Sequence, residues 1–321
     1  MNICRLLTTL IIASLLTWSC SSKTGKPAEH QVRFLHGSTN NKLEVLDWGG
    51  EGQAMIFLSG VGNSGHVFDE FAPRFTDRFH VYALSRRGYG ASEPSTGYDM
   101  KTLTDDILSV MDSLQIEKVI FVGHSIAGDE MSKFAVLHPS RVDKIIYLDA
   151  AYDRTKVSEY VKYFPEFPKP NAEDSSSFLQ YKKFMVSQSG VSLPDEEIRQ
   201  TSIFSKEGRY VKDVTADSIG GALFVSVEHP DYNQIKCPAL AIYAVFDSII
   251  QLAPFYAKLD AVNKKKVDTL YSVWNEFNNG ERARFKKEVQ GGIVKEVRGA
   301  NHYLFISNTA ETEKVMREFL K

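Results

Sequence analysis

The chain has 321 residues, of which 43% are hydrophobic, so it is long and apolar enough to bury a substantial core. Its formal net charge is −2. No stripe of lysine and arginine alternates with aromatic residues in the way that a nucleic-acid groove requires, and composition therefore argues against a nucleic-acid partner.

The first residues have the pattern of an export signal. Arg5 precedes an apolar run from Leu6 to Trp18, which is too short to span a bilayer. Cys20, at the end of this run, resembles the lipidated cysteine of bacterial lipoproteins. We therefore predict a signal peptide at 1–19 and a polar tether at 20–31, with the protein exported and lipid-anchored in the cell envelope. The alternative is an ordinary secretory signal, which would leave the protein periplasmic or secreted.

Short apolar segments then alternate with helical patterns. The stretches "VRFLH" and "LEVLDW" are joined by a polar turn, which is typical of an antiparallel hairpin. The stretches "AMIFLS", "HVYAL", "KVIFVG" and "KIIYLDA" are apolar throughout, as are strands buried on both faces of a parallel sheet. Helical periodicity in "TLTDDILSVMDSL" and "IAGDEMSKFAVLHP" separates some of them. This order predicts a doubly wound, mostly parallel α/β sheet.

The alternation stops after Ala151. Residues 152–234 are rich in aromatic residues, proline and serine and contain no clear buried strand, so we expect a mainly helical cap inserted into the domain. The core, which begins at 32–151, is expected to resume at 235–321 with the strands "PALAIYAVFD" and "GGIVKEV". The long polar stretch at 255–289 is interpreted as a solvated helix without a binding role.

A lone serine stands where a strand changes into a helix. The sequence "GHSIAG", residues 123–128, resembles the nucleophile elbow of the α/β-hydrolase fold, in which small neighbours allow a sharp turn around the serine. Ala127 replaces the second glycine of that pattern, and Gly128 follows it. Ser125 is the candidate nucleophile. Without the resemblance, a serine here would be interpreted as a helix N-cap.

The resemblance also implies an oxyanion hole made by the backbone N–H groups of Ile126 and Val61. Val61 lies in a glycine-rich loop after the strand "AMIFLS". The family usually has His-Gly at this turn, whereas this chain has Ser59 and Gly60. Because the donor is a backbone amide, the change of side chain does not remove it.

A serine nucleophile needs a histidine base and a carboxylate that orients the histidine. In this family the chain order is serine, acid, histidine. His302, in "GANHYLFIS" after the last predicted strand, matches the histidine, and Asp247, which ends "LAIYAVFD", is our choice for the acid. Asp149, at the end of "KIIYLDA", is the alternative acid. His124 is interpreted as a packed, hydrogen-bonded residue.

The resemblance is greatest to the capped, carboxylesterase-like branch. It implies cleavage of a carboxylic ester of a small, apolar substrate through an acyl-enzyme on Ser125, with no metal or organic cofactor. Cleavage of a peptide, lactone, thioester or carbon–carbon bond remains open, as does peroxide-dependent oxidation. The hypothesis from a different class is a member of the fold that binds a ligand without turnover.

Overall fold

The computed structural model describes residues 29–321. The predicted signal peptide at 1–19, Cys20 and most of the tether at 20–31 lie outside the described residues. Within the described part of the chain, no helix combines the length and the apolar character that crossing a membrane requires.

An eight-stranded sheet forms the centre of the fold, in the order β1-β2-β4-β3-β5-β6-β9-β10. The predicted hairpin is present as the antiparallel pair β1 and β2, and the strands from β4 to β10 in the sheet order run parallel to one another. The predicted mostly parallel α/β sheet is therefore confirmed. The strands of the described chain, including the separate pair β7 and β8, are β1 (Gln31–His36), β2 (Lys42–Gly49), β3 (Ala54–Leu58), β4 (His80–Leu84), β5 (Val119–His124), β6 (Val142–Leu148), β7 (Ser202–Phe204), β8 (Tyr210–Asp213), β9 (Ala239–Val245) and β10 (Ile293–Arg298).

Two apolar layers cover the sheet because successive side chains of each strand point to opposite faces. On β5, Ile120 and Val122 belong to one layer and Phe121 to the other. Helices supply the outer part of both layers. The helices of the described chain are α1 (Met100–Ser113), α2 (Ala127–Leu137), α3 (Phe178–Ser189), α4 (Asp195–Thr201), α5 (Asp217–Val225), α6 (Ile249–Leu252), α7 (Ala261–Glu288), α8 (Leu304–Ser307) and α9 (Thr309–Phe319).

The segment between β6 and β9 contains helices α3, α4 and α5 and the small hairpin of β7 and β8. We refer to residues 152–234 as the inserted segment. The hairpin could not be predicted from the sequence, because β7 has three residues and β8 has four. Ring stacking anchors the hairpin, since Tyr210 on β8 lies 3.9 Å from Tyr181 on α3, measured between ring centroids.

The polar stretch at 255–289 is largely helical, but the expectation that its helix is simply solvated is wrong. Helix α7 buries one side, on which Phe277, Glu281 and Phe285 follow one another at intervals of four residues. The buried Glu281 accepts a hydrogen bond from the backbone N–H of Asp153 at 2.8 Å. High overall polarity concealed this narrow buried face in the sequence.

A buried ion pair fixes the turn "SRRGYGAS" that follows β4. Arg87 is fully buried and donates two hydrogen bonds to Asp106 on α1, at 2.7 and 2.6 Å. Its remaining guanidinium nitrogen donates to the carbonyls of Thr96 and Gly97. With its donors occupied by protein acceptors, Arg87 has a structural role.

This pair allows a matched test of burial on one helix. Asp106→Asn removes the charge that compensates Arg87, and we expect it to lower the free energy of unfolding by about 3–5 kcal/mol. Asp105→Asn breaks the exposed pair with Lys101 on the same helix and should lower it by less than about 0.5 kcal/mol. Urea denaturation of both variants measures the two effects, and equal losses would contradict the argument.

Candidate active site

Residues from four segments, three of them polar, meet where the strands of the parallel sheet end. Ser125 follows β5, Asp149 follows β6 and His302 follows β10, and all three line one cavity of about 790 Å³. The loop after β3 carries Gly60, at which a Cβ atom would lie 3.1 Å from the Cβ of Ser125. The sheet thus brings Gly60 and His302, which are more than 200 positions apart in the sequence, to the same edge.

Ser125 occupies a strained turn. Its φ of +55° lies in the left-handed region that non-glycine residues rarely adopt. The alternative role of helix N-cap does not apply, because the residue at the cap of α2 is Ile126 and no side-chain cap bond is formed. Gly128 permits the close approach of α2 to the sheet edge, since a Cβ there would lie 2.0 Å from the carbonyl oxygen of Ala150. The packing thus requires glycine at position 128, whereas position 127 accommodates alanine.

His302 pairs with Asp149. Its Nδ1 lies 2.6 Å from Oδ2 of that carboxylate, which is almost completely buried. The other oxygen of Asp149 accepts hydrogen bonds from the backbone N–H of Ala244, at 3.1 Å, and from the hydroxyl of Tyr152. Burial and the neighbouring Asp149 raise the pKa of Tyr152 well above its usual value, so this hydroxyl remains a donor. The carboxylate is thus held in place, and Nε2 of His302 is the ring nitrogen that the pair leaves for chemistry.

The expectation that Asp247 would orient the histidine is wrong. Asp247 is exposed and lies 3.2 Å from Arg298, measured from Oδ1 to the guanidinium nitrogen. Its backbone N–H donates to the side chain of Gln251, which directs the chain into α6. Strand β9 ends two residues before Asp247, and the turn carries the carboxylate to the surface, whereas Asp149 directly follows the adjacent strand β6.

His124 packs against His302. Its Nε2–H donates to the carbonyl of His302 at 3.1 Å, and the two ring centroids are 4.4 Å apart. Complete burial and, to a smaller extent, the nearby His302 lower the pKa of His124 well below its ordinary value. His124 is therefore a neutral, packed residue, in agreement with its interpretation from the sequence.

The loop of residues 59–63 places Gly60, which precedes Val61, beside Ser125. Neither this amide nor that of Ile126 donates a hydrogen bond to another residue in the part of the chain that the structure describes. The Ser59 hydroxyl donates to the carbonyl of Asn63 at 2.9 Å, so the serine closes the loop on itself. Arg86 donates to the Ser59 carbonyl at 2.8 Å and pairs with Glu130 on α2. Arg86 thus has a structural role, in which it links the loop to α2.

The cavity wall is mainly apolar and comes from both parts of the fold. The core contributes Phe246, Phe255 and the half-buried Trp274 of α7. The inserted segment contributes Phe167 and Phe224, among others. Sequence reasoning missed Trp274 because it treated the whole of 255–289 as solvated. Its spacing from Phe277 and Phe285 was the signal for a buried face.

A second cluster of titratable groups surrounds His66. Potential metal-donor atoms of His30, His66 and Asp69 lie within 4.8 Å of one another. The His66 ring is buried between two carboxylates, at 3.0 Å from Asp69 and 3.5 Å from Glu44. Burial lowers the pKa of His66, but the hydrogen bond with Asp69 and the nearby carboxylate of Glu44 outweigh burial and raise it to about 10. An imidazolium between two carboxylates accounts for this arrangement without a metal.

A family model described as the alpha/beta hydrolase fold matches residues 53–215. Among curated relatives, the 2-(acetamidomethylene)succinate hydrolase of Mesorhizobium japonicum is 33% identical over 101 residues, which cover 31% of this chain and 36% of that protein. The non-heme chloroperoxidase of Streptomyces lividans is 33% identical over 117 residues, 35% of this chain and 42% of the relative. The chain thus spans about two fifths of the length of these two curated relatives.

Solved structures resemble the chain over most of its length. The crystal structure of E-2-(acetamidomethylene)succinate hydrolase has a TM-score of 0.65 at 18% identity and covers 91% of this chain and 99% of its own. Carboxylesterase CesB from Bacillus subtilis has a TM-score of 0.59 at 15% identity, with 92% of each chain covered. At these identities the likeness concerns the fold.

The buried imidazolium of His66 predicts a pH-dependent stability. Because the pKa of His66 is raised from 6.5 to about 10, its contribution is complete below pH 6.5 and is lost as the pH rises towards 10. The difference in unfolding free energy between wild type and His66→Gln should therefore decrease from pH 6 to pH 10. Urea titrations across this range measure it, with the exposed His36→Gln as a control that should follow the wild-type curve. A difference that grows with pH would refute the assignment.

Proposed function

Because the chain belongs to the alpha/beta hydrolase fold family, we propose that it is a serine hydrolase that cleaves a carboxylic ester through an acyl-enzyme on Ser125. The observation that carries the proposal is the 2.6 Å contact between His302 and Asp149 in the same cavity as Ser125. A buried carboxylate, a histidine with one nitrogen left free and a serine in a strained turn are the components that activate a hydroxyl nucleophile.

In the first half-reaction, Nε2 of His302 accepts the proton of the Ser125 hydroxyl while the oxygen attacks the ester carbonyl carbon. The carbonyl oxygen becomes an oxyanion, for which the Val61 and Ile126 amides are the donors. Asp149 stabilises the imidazolium that forms and keeps its Nδ1 proton in place. The tetrahedral intermediate then expels the alcohol, which receives the proton from Nε2.

In the second half-reaction, water replaces the alcohol. His302 accepts a proton from the water as its oxygen attacks the acyl carbon, and the same two amides hold the second oxyanion. Collapse of this intermediate releases the carboxylic acid, and the proton returns to the oxygen of Ser125. Each proton taken by His302 is given back, so the cycle consumes only ester and water.

The competing hypothesis of binding without turnover has less support. Ser125 at φ +55° and the buried Asp149 paired with the partly exposed His302 each carry an energetic cost. Ligand binding without turnover requires neither feature. Groups of this kind at one cavity are typical of catalytic sites.

The cavity supports the proposal of an apolar ester substrate. A volume of about 790 Å³ with mainly apolar walls suits an ester whose acyl or alcohol part is a sizeable apolar group. The rim carries exposed apolar side chains of the inserted segment, among which Phe167 is 62% and Val225 is 88% exposed. The occurrence of a carboxylesterase among proteins of the same fold agrees with an ester substrate.

The catalytic roles can be tested with a fluorophosphonate probe, which reacts covalently with activated serines. We expect wild type to be labelled and Ser125→Ala not to be labelled. Asp149→Asn should react roughly 10³- to 10⁴-fold more slowly, because it loses the carboxylate that sets the histidine tautomer. Asp247→Asn, which makes the same change at the other strand end, should react at the wild-type rate. The proposal fails if folded wild type is not labelled, and the choice of acid fails if Asp247→Asn is the slow variant.

The apolar rim predicts a chain-length effect. Val225→Asp places a charge at the cavity mouth, where we expect it to raise KM severalfold for p-nitrophenyl esters of long acyl chains and to leave the acetate ester unaffected. Val262→Asp, at a similarly exposed position of α7 outside the cavity lining, is the matched control. Equal effects on acetate and long-chain esters would exclude the rim as a binding surface for the chain.

A further inference from the structure

Glu197 is a fully buried carboxylate whose partners lie outside its own segment. It sits on α4 of the inserted segment, yet its oxygens accept hydrogen bonds from the Asn63 amide at 2.9 Å and from the Ser64 hydroxyl at 2.5 Å. The backbone N–H of Ser64 also points at it, at 3.2 and 3.3 Å from its two oxygens. Three donors of the loop after β3 thus converge on one carboxylate.

The Asn63 side chain extends this network to the loop between β10 and α8 that carries His302, which we call the histidine loop. While its amide nitrogen donates to Glu197, its oxygen accepts a hydrogen bond from the Tyr303 hydroxyl at 3.1 Å. Tyr303 directly follows His302. Both ends of the Asn63 amide are therefore engaged, which fixes its orientation between the inserted segment and the histidine loop.

The same loop positions the Val61 amide. Residues 60–63 form a turn in which the Asn63 N–H donates to the Gly60 carbonyl at 3.3 Å. Arg86 holds this turn from the core side through the Ser59 carbonyl. Glu197 holds the residues that leave the turn, so the Val61 amide lies between an anchor on the core and an anchor on the inserted segment.

We infer that Glu197 is a positioning residue, which holds the 60–64 loop so that the Val61 amide faces the oxyanion formed at Ser125. This inference rests on the proposed serine hydrolase function, and it deepens that function by making the inserted segment part of the oxyanion hole. Displacing a donor by about 1 Å can slow catalysis as much as 10²-fold, so a carboxylate that touches no substrate can still control the rate.

The charges around Glu197 give its action a pH dependence. Burial raises the pKa of Glu197 to about 7, against the hydrogen bonds from Ser64 and Asn63, which lower it. The other titratable groups that face it are His66, with a pKa raised to about 10, and Tyr303, with a pKa raised to about 12. Between pH 6 and 8 His66 therefore stays charged and Tyr303 neutral, and Glu197 is the member of the network that changes its protonation. Protonation below pH 7 removes an acceptor from the loop.

The decisive comparison is between Glu197→Gln and Glu196→Gln. Both remove one negative charge from adjacent positions of α4, but the half-buried Glu196 bonds to Gln200 within its own helix. In Glu197→Gln an amide hydrogen must face a donor of Asn63 or Ser64. We expect fluorophosphonate labelling to slow about 10- to 100-fold in Glu197→Gln, with kcat for a short ester falling and KM nearly unchanged. Glu196→Gln should match wild type.

Hydrogen exchange of the intact protein provides a readout that needs no activity. In Glu197→Gln, amide exchange should accelerate in the peptide covering 59–68 and stay at the wild-type rate elsewhere, whereas Glu196→Gln should change neither. Glu197→Asp keeps the charge but is one methylene shorter, and we expect it to restore part of the labelling rate. If Glu197→Gln does not fold, Ser64→Ala, which removes one of the three donors, should show the same changes to a smaller degree.

The outcomes separate this inference from the proposed function. If wild type is not labelled but loop exchange rises in Glu197→Gln, the serine hydrolase proposal and the effect on catalysis fail together, and only the hold on the loop survives. Wild-type labelling with unchanged loop exchange in Glu197→Gln would overturn the inference and leave the proposed function intact. Faster loop exchange with a wild-type labelling rate would also overturn it, because Glu197 would then be only structural.

Discussion

The shared direction of the central strands is the constraint on which the site depends. Strands β3, β5, β6, β9 and β10 run parallel, and their registers bring the strand ends level, with Leu58 beside Gly123 and His124 beside Leu148. Every loop that leaves these carboxyl ends must therefore emerge on the same edge of the sheet. Because a shift of one residue would turn each strand end to the opposite face, the core packing that fixes the register also fixes the site.

Buried charged and polar side chains hold the loops that leave this edge of the sheet. Arg87 joins the turn after β4 to Asp106, Arg86 joins the loop after β3 to Glu130, and Glu197 joins the same loop to the inserted segment. An ion pair without water around it is directional, and it keeps a loop in one conformation where apolar packing would tolerate several. The energetic cost of burying these groups is offset by the several hydrogen bonds that each one makes.

Local patterns predicted the strands of the central sheet, the hairpin of β1 and β2, and the turn from β5 into α2, because each depends on residues close together in sequence. The choice between Asp149 and Asp247 could not be made in this way. Both end apolar stretches of the sequence and both satisfy the chain order. Only the turn after β9, which leads Asp247 to Arg298, separates them in space. Glu197 was likewise invisible, since its partners lie more than 130 positions away and a glutamate on a short helix is usually exposed.

The inserted segment therefore contacts both the cavity and the loop after β3. Phe224 and Val225 on α5 form part of the cavity wall, and Glu197 on α4 fixes the loop that carries the Val61 amide. An apolar group that enters the cavity contacts the same segment that holds the oxyanion loop. Since binding energy gained far from the reacting carbonyl can stabilise the geometry needed at it, a substrate that fills the cavity can favour the catalytic arrangement of the loop, whereas a short substrate contributes less to it. Under the proposed function, selection of the substrate and organisation of the oxyanion hole thus depend on the same segment of the chain.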